Sequence, residues 1–174
     1  MILIISSSLK PDSNSRLLAQ EAQRLLESEQ KTAQFVDLRD FPLPLCDGGA
    51  AYGHPLVAEL GKLVSAARAI IVATPIYNFA GNAAIKNLIE LTGKHWEDKP
   101  VAFLCAAGGM GSYMSIMGLA NSLMLDYRCL IVPRFVFATG KAFNERRITD
   151  PEVTERVARM VRETVRLGDG NWAR

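Results

Sequence analysis

The 174-residue chain predicts an α/β fold with a doubly wound parallel sheet. Three observations carry that prediction. Five short apolar or β-branched runs alternate with segments of helical periodicity. The third run, Ala69-Ile70-Ile71-Val72-Ala73, is apolar throughout, as a strand buried on both faces must be. The stretches after the first, third and fourth runs are rich in polar residues or glycine, where such a sheet carries its ligand site.

Ile2 to Ile5 forms the first strand, and Leu18, Ala22, Leu25 and Leu26 follow at helical spacing. Phe35-Val36-Asp37-Leu38 is the second strand. Pro42, Pro44, Gly48, Gly49 and Gly53 make residues 39–54 a long loop. Leu56, Leu60, Leu63 and Val64 share one face of a second helix. Thr74 to Asn82 reads as a loop, and Ala84, Ile85, Leu88 and Ile89 mark a helix stopping at Gly93. Val101 to Cys105 is the fourth strand, Ala106 to Gly111 a glycine-rich turn, and Met114, Met117, Leu123 and Met124 lie on the next helix. Leu130-Ile131-Val132 opens the fifth strand, Pro133 interrupts it, and Phe135-Val136-Phe137 resumes it as an edge or bulged segment. Thr149-Asp150-Pro151-Glu152 has the pattern of a capping box, opening a last helix with Val153, Val157, Met160 and Val161. The tail from Gly168 to Arg174 reads as frayed. No break in composition divides the chain, so residues 1–174 read as a single domain.

The composition is globular, with 49% hydrophobic and 22% charged residues. A net charge of +2 gives no strong basic field, which argues against a nucleic-acid partner. Cys46, Cys105 and Cys129 are widely spaced and odd in number, and His54 and His95 lack ligand-spaced partners. A zinc site, a disulfide framework and a redox dithiol are all disfavoured. Cys105 and Cys129 read as buried hydrophobes. No apolar run is long enough for a membrane span or a signal peptide, so the expectation is a cytoplasmic protein without membrane insertion.

The chemistry centres on Ser6-Ser7-Ser8-Leu9-Lys10-Pro11-Asp12-Ser13-Asn14-Ser15-Arg16, between the first strand and its helix. Hydroxyls, free backbone N–H groups and a helix dipole suit a phosphate. The Walker loop and G-x-G-x-x-G are absent, so a metal-free phosphate site is one reading and an ordinary Ser/Asn-rich turn the other. Other tenants of the architecture are excluded by what is missing. Strands one and three end in Ser6–Ser8 and Thr74-Pro75, not in the acidic cluster and phosphorylatable Asp of a response regulator. The first loop lacks the Cys of a small tyrosine phosphatase. No G-x-S-x-G elbow or well-placed carboxylate pair exists. Donors without a reactive side chain suit a cofactor that brings its own chemistry.

Three stretches resemble the flavodoxin-like NAD(P)H-dependent FMN reductases, a family with related quinone, chromate and azo-dye reductases. Ser8-Leu9-Lys10 with Ser13 and Ser15 is similar to the family's G-S-L-R-x-x-S-x-N loop. Asp37-Leu38 through Phe41-Pro42-Leu43-Pro44-Leu45 resembles D-L-x-x-x-P-L-P-x. Thr74-Pro75-Ile76-Tyr77-Asn78, with Ala84-Ile85-Lys86-Asn87 behind it, is similar to T-P-E-Y-N…A-L-K-N. The chain departs from the pattern with Lys10 for Arg, Ser15 for Asn, Ile76 for Glu, and Phe79-Ala80-Gly81-Asn82 for G-S-x-P.

The resemblance implies a flavodoxin-like three-layer sandwich, its five-stranded parallel sheet ordered 2-1-3-4-5. It implies FMN as cofactor, NADPH or NADH as co-substrate, and a small-molecule electron acceptor such as a quinone, flavin or azo compound served by ping-pong turnover. Ser8, Lys10, Ser13 and Ser15 would hold the FMN phosphate. Pro75, Tyr77 and Asn78 would wrap the ribityl chain and ring edge, and Gly108, Gly109 and Gly111 would let backbone approach the ring. Ile76 and Phe79 would make the pocket more apolar and favour aromatic acceptors. The alternatives are a flavodoxin-type electron carrier, or a flavin-binding redox module without turnover. The near-neutral charge and the missing T-x-T-G-x-T loop weigh against the carrier. Family members are dimers or tetramers, so a homodimer or homotetramer is expected. Met110, Met114, Met117 and Met124 either lie partly on such a contact or, by default, face the sheet. Arg134, Arg146 and Arg147 are available for a nucleotide 2′-phosphate, but sequence alone assigns no cluster.

Overall fold

Strand and helix alternate through the computed structural model, which describes residues 1–170. In chain order the elements are β1 (Ile2–Ser6), α1 (Asn14–Ser28), β2 (Ala33–Asp37), α2 (Pro55–Ala66), β3 (Ala69–Tyr77) and β4 (Ala80–Gly81). There follow α3 (Ala83–Thr92), β5 (Pro100–Ala107), α4 (Met117–Tyr127), β6 (Leu130–Ile131), β7 (Val136–Thr139), β8 (Phe143–Asn144), β9 (Arg147–Ile148) and α5 (Pro151–Asp169). The main sheet runs β2-β1-β3-β5, and β6 and β7 both pair parallel with β5 on its far side. This is the expected flavodoxin-like order 2-1-3-4-5, with the fifth position shared by two short strands. Proline has no N–H to give the ladder, and pairing lapses around Pro133.

Side-chain alternation along the central strands divides the core into two sheets of contact. Ile2 and Ile4 of β1 pack with Ala69, Ile71 and Leu104 beneath α1 and α5. Leu3 and Ile5 pack with Ile70, Val72 and Phe103 beneath α2, α3 and α4. Helices on both faces explain why these strands are apolar without alternation. Cys105 and Cys129 are buried free thiols, as expected. Burial pushes Cys105 up to about 12 and Cys129 up to about 11, so neither is a thiolate at neutral pH.

Local chemistry sets the ends. Ser13 caps α1 and Asn82 caps α3, and Gly93 closes α3 with a φ of +40°. The helix α5 starts one residue later than the capping-box pattern implies. Asp150 is the cap, accepting from the Glu152 N–H at 2.9 Å, with Pro151 in the first turn. Thr149 is drawn away because its N–H and hydroxyl both bond the Ala142 carbonyl.

The tail expectation also changes. Gly168 and Asp169 are helical, and a Cβ on Gly168 would come within 3.0 Å of Ala69 Cβ, so the end of α5 packs against the start of β3. Positions 171–174 of the expected frayed tail lie outside the described residues.

Residues 74–82 are not a loop. The third strand runs on to Tyr77, turns over Asn78 and Phe79, and returns as β4, with Tyr77 opposite Ala80. Both turn residues have positive φ, +49° and +62°, as a two-residue hairpin turn of the primed type demands. The default placement of the methionines fails as well. Leu119, Ala120 and Leu123 take the sheet-facing side of α4, which leaves Met117 and Met124 exposed, together with Met110 and Met114 in the preceding turn.

Trp96, fully buried below α3, donates its indole N–H to Thr92 Oγ1 at 2.8 Å, and that hydroxyl donates to the Leu88 carbonyl at 2.6 Å. Thr92→Val keeps the shape and strands the indole. The expected cost is about 1–3 kcal/mol, read as a lower urea midpoint at unchanged m-value.

Candidate functional site

Arg16, which the sequence reading passed over, fixes the shape of the loop after β1. Its side chain lies under the loop and is only 6% exposed as a residue. Nε donates to Asp37 Oδ2 at 2.7 Å, and Nη2 donates to Asp37 Oδ1 at 3.2 Å and to the Ser8 carbonyl at 2.7 Å. Nη1 donates to the carbonyls of Lys10 at 2.8 Å and Pro11 at 2.9 Å. Every N–H of the guanidinium is therefore satisfied. In a trans peptide the N–H points opposite to the preceding carbonyl. With three loop carbonyls turned in to Arg16, the amides of Leu9 and Asp12 face the outer side of the loop.

Asp37, at the end of β2, takes a second arginine as well. Arg39 reaches it through Nη2 at 2.9 Å and through its backbone N–H at 3.1 Å. Burial alone would push this carboxyl up, but hydrogen bonds from Arg16 and Arg39 outweigh burial and hold it below the usual range. Two signals were present in sequence: an arginine in the first turn of a helix, where the dipole disfavours a cation, and an aspartate ending strand two.

The hydroxyls sort into two roles. Ser8 Oγ accepts from the Lys10 N–H at 3.3 Å, and Ser13 and Ser15 share a hydroxyl–hydroxyl bond of 2.9 Å at the start of α1. Ser7 faces the neighbouring loop instead. Its hydroxyl donates to Asn82 Oδ1 at 2.8 Å, and Asn82 Nδ2 returns to the Ser7 carbonyl at 2.8 Å. Thr74 Oγ1 accepts from the Asn82 N–H at 3.2 Å. Asn82 thus joins the first loop, β3 and the start of α3, a role no sequence motif announced. Ser6 Oγ is the one buried side-chain polar atom among the described residues without a partner. It shares the α1 side of β1 with Ile2 and Ile4.

The predicted residues converge in part. Ser8, Ser13 and Ser15 are buried in the loop, and Lys10 is exposed at its rim. Pro75 is buried in β3 opposite Ala106, Tyr77 is half exposed, and Asn78 stands at the hairpin tip. Gly108, Gly109 and Gly111 are exposed, and a Cβ on any of them would meet nothing within 4 Å. The chain itself leaves room there, and nothing within it requires glycine at these three positions. Because β1 pairs with β3 and β3 with β5, the three loops meet at the switch point of the sheet. Ile76, expected in the pocket, is instead packed in the core on the α2–α4 side.

A groove of about 480 Å³ adjoins the loop, with Leu9, Leu38, Phe41, Leu43 and Leu45 among its walls. Asn87 holds its shape, accepting from the Cys46 N–H at 2.8 Å and donating to the Pro44 carbonyl at 2.9 Å. Lys86 is turned away to Glu90.

The donor set suits a phosphate monoester without a metal. It offers hydroxyls, outward amides and a helix N-terminus, its buried carboxylate is neutralised by two arginines, and no metal-holding cluster exists among the described residues. This donor set fits FMN, whose phosphate the loop would hold.

The fold is flavodoxin-like, with a donor-bearing loop at its switch point. A structure of the flavoenzyme NAD(P)H:(acceptor) oxidoreductase FerB from Paracoccus denitrificans superposes with a TM-score of 0.78 at 22% identity, covering 97% of this chain and 96% of that one. An NAD(P)H-dependent FAD/FMN reductase of Geobacillus thermodenitrificans is 30% identical over 77% of this chain and 74% of its own. A probable NADPH:quinone oxidoreductase of rice, Oryza sativa, is 26% identical over 92% of this chain and 84% of its own. Residues 1–144 match the family model for NADPH-dependent FMN reductase, and the chain belongs to that family. Its cofactor is accordingly FMN and its reductant NAD(P)H.

Arg16→Met leaves Ser8, Lys10 and Pro11 without their donor. The expected loss is about 3 kcal/mol, the low end for breaking a buried pair, because Arg39 still holds Asp37. The pH dependence follows from the lowered carboxyl. The pair's contribution is complete above the ordinary Asp value of about 3.9 and is lost as pH falls through the lower folded value. Urea titrations from neutral pH downward should show the wild-type advantage over Arg16→Met constant at first, then shrinking below about pH 4.

Proposed function

We propose that the protein passes an electron pair from NADPH or NADH to a small aromatic acceptor, a quinone, free flavin or azo compound, by ping-pong turnover. The loop clamped by Arg16 carries this reading, because its carbonyls are turned in to the guanidinium, its amides are left facing outward, and its neighbouring buried carboxylate is neutralised by two arginines. When bound, FMN supplies acceptance of hydride from the nicotinamide and return of the electron pair to the acceptor. Ser8, Ser13 and Ser15 with the outward amides hold its phosphate, and Lys10 adds charge from the rim. Pro75, Tyr77 and Asn78 would border the flavin, and the backbone at Gly108, Gly109 and Gly111 would approach it. The protein's task is orientation and exclusion of water. The carrier alternative is disfavoured by the +2 net charge, which does not repel an anionic nucleotide.

The protein as purified should be yellow, and anaerobic mixing with NADPH should bleach the flavin band directly. Bleaching that requires a partner reductase would make it a carrier.

Phe79 bears on the acceptor. It holds a φ of +62° and is 72% exposed beside half-exposed Tyr77, a strained position for a bulky residue that no packing rewards. The turn sets its backbone, and in this reading its exposed ring serves the acceptor. Phe79→Gly should leave stability unchanged or raised by about 1 kcal/mol. The KM for menadione should rise several-fold while ferricyanide turnover stays level. Equal effects on both acceptors would remove the stacking role.

The exposed methionines, with Leu125 beside them, form an adaptable apolar surface that a second copy would cover, giving a homodimer or homotetramer. Light scattering that returned a monomer at micromolar concentration would remove this contact. Three free thiols suit a reducing compartment, which favours the cytoplasm. Periplasmic or secreted protein found by fractionation would overturn that placement.

A further inference from the structure

A second cleft, of about 570 Å³, opens at the edge of the sheet where β6 gives way to β7. Residues 133–135 leave the ladder there and form its floor. One wall is aromatic: Tyr113 stacks on Phe135 with ring centroids 5.0 Å apart and meets the edge of Phe137 at 5.4 Å. The opposite wall is a single stripe of α5, in which Glu152, Arg156, Arg159, Met160 and Glu163 recur at helical spacing.

The charges in the cleft are not balanced. Glu163 is occupied by Arg166 at 2.6 Å, and Arg159 by Glu155 at 3.0 Å. Glu152 sits in the first turn of α5, where the helix dipole favours it. Arg134 and Arg156 have no carboxylate within 4.0 Å among the described residues; Arg156 instead donates to the Phe135 carbonyl at 3.3 Å. Arg134 also holds a φ of +62°, a conformation that favours glycine, yet it is exposed and packs no core. Arg134 is thus an exposed cation with no carboxylate partner among the described residues, standing beside an aromatic wall.

We propose that this cleft is a second binding site, separate from the flavin loop, for a planar aromatic anion: a ring carrying a phosphate, sulfonate or carboxylate. The ring lies along Tyr113, Phe135 and Pro133, and the anionic group takes a forked contact from Arg134 with support from Arg156. An adenine nucleotide and a sulfonated quinone share this chemistry. Tyr113 belongs to the segment that follows the Gly108–Gly111 turn, so an occupant touches the element bounding the flavin ring. The site is built without FMN, and it stands or falls independently of the flavin reading.

The test is calorimetric titration of the FMN-saturated protein with 2′,5′-ADP and with anthraquinone-2-sulfonate, using adenosine, neutral anthraquinone-2-methanol and inorganic phosphate as single-feature probes. Arg134→Gly removes the charge and suits the backbone, so the fold is retained; Tyr113→Leu removes the ring wall, with thermal melting as the control for both. At least one ring-bearing anion should bind saturably, and each variant should weaken it about tenfold with FMN uptake unchanged. Tight binding of the nucleotide alone would identify the reductant's adenosine end as the occupant. Tight binding of the sulfonate alone would identify an acceptor. Unchanged affinity in both variants, binding of the neutral ring or of phosphate as tight as the ring-bearing anion, or loss of FMN uptake in Arg134→Gly would overturn the proposal.

Discussion

A buried guanidinium is tolerable only if each of its N–H groups finds an acceptor, and the five acceptors around Arg16 dictate much of the site. Two come from Asp37 at the end of β2, and three are carbonyls of the loop after β1. The interaction therefore does more than join two charges. It draws the loop into one shape, pins the start of α1 to the neighbouring strand, and turns amides outward. An ion pair of this kind is weak evidence for stability in itself, since desolvation offsets most of the attraction. Its value here is geometric, because a loop of serines without it has many shapes and only some present donors to one point.

Two asparagines extend the same logic to the other side of the sheet. Asn82 closes a ring of hydrogen bonds through Ser7 and Thr74 and also caps α3, so the first loop, β3 and the helix are tied together. One turn on, Asn87 holds the proline-rich segment through Cys46 and Pro44. Short amide side chains serve both purposes because each offers a donor and an acceptor at fixed separation. Strain is kept out of this framework and stored at its rims. Of the eight non-glycine residues with positive φ among the described residues, Asn78 and Phe79 stand at the tip of a hairpin and Arg134 at a broken edge strand, where their side chains face solvent.

The chemistry that remains to the protein is one of placement. Cys105 and Cys129 are held as neutral thiols by burial, and the buried carboxylate is neutralised by two arginines. No side chain in the loop is prepared as a nucleophile or base. An oxidoreductase with this inventory depends on its flavin for reactivity.

Periodicity and punctuation in the sequence determined the alternation of elements, the parallel sheet and the loops that gather at its switch point. They work because burial on two faces and the geometry of turns are local or nearly local constraints. The family resemblance further nominated Ser8, Lys10, Ser13, Ser15, Pro75, Tyr77, Asn78, Gly108, Gly109 and Gly111 as cofactor contacts, which the structure places on or beside the three segments that meet at the switch point. Only the tertiary structure decided that Arg16 would meet Asp37 across 21 positions, and that Ser7 would meet Asn82 across 75. It also carried β3 past its apolar run into a hairpin, moved the cap of α5 to Asp150, and turned the methionines outward. In each case the outcome depended on which distant acceptor or packing surface was nearest once the sheet had formed, and nothing in the neighbouring residues records that distance.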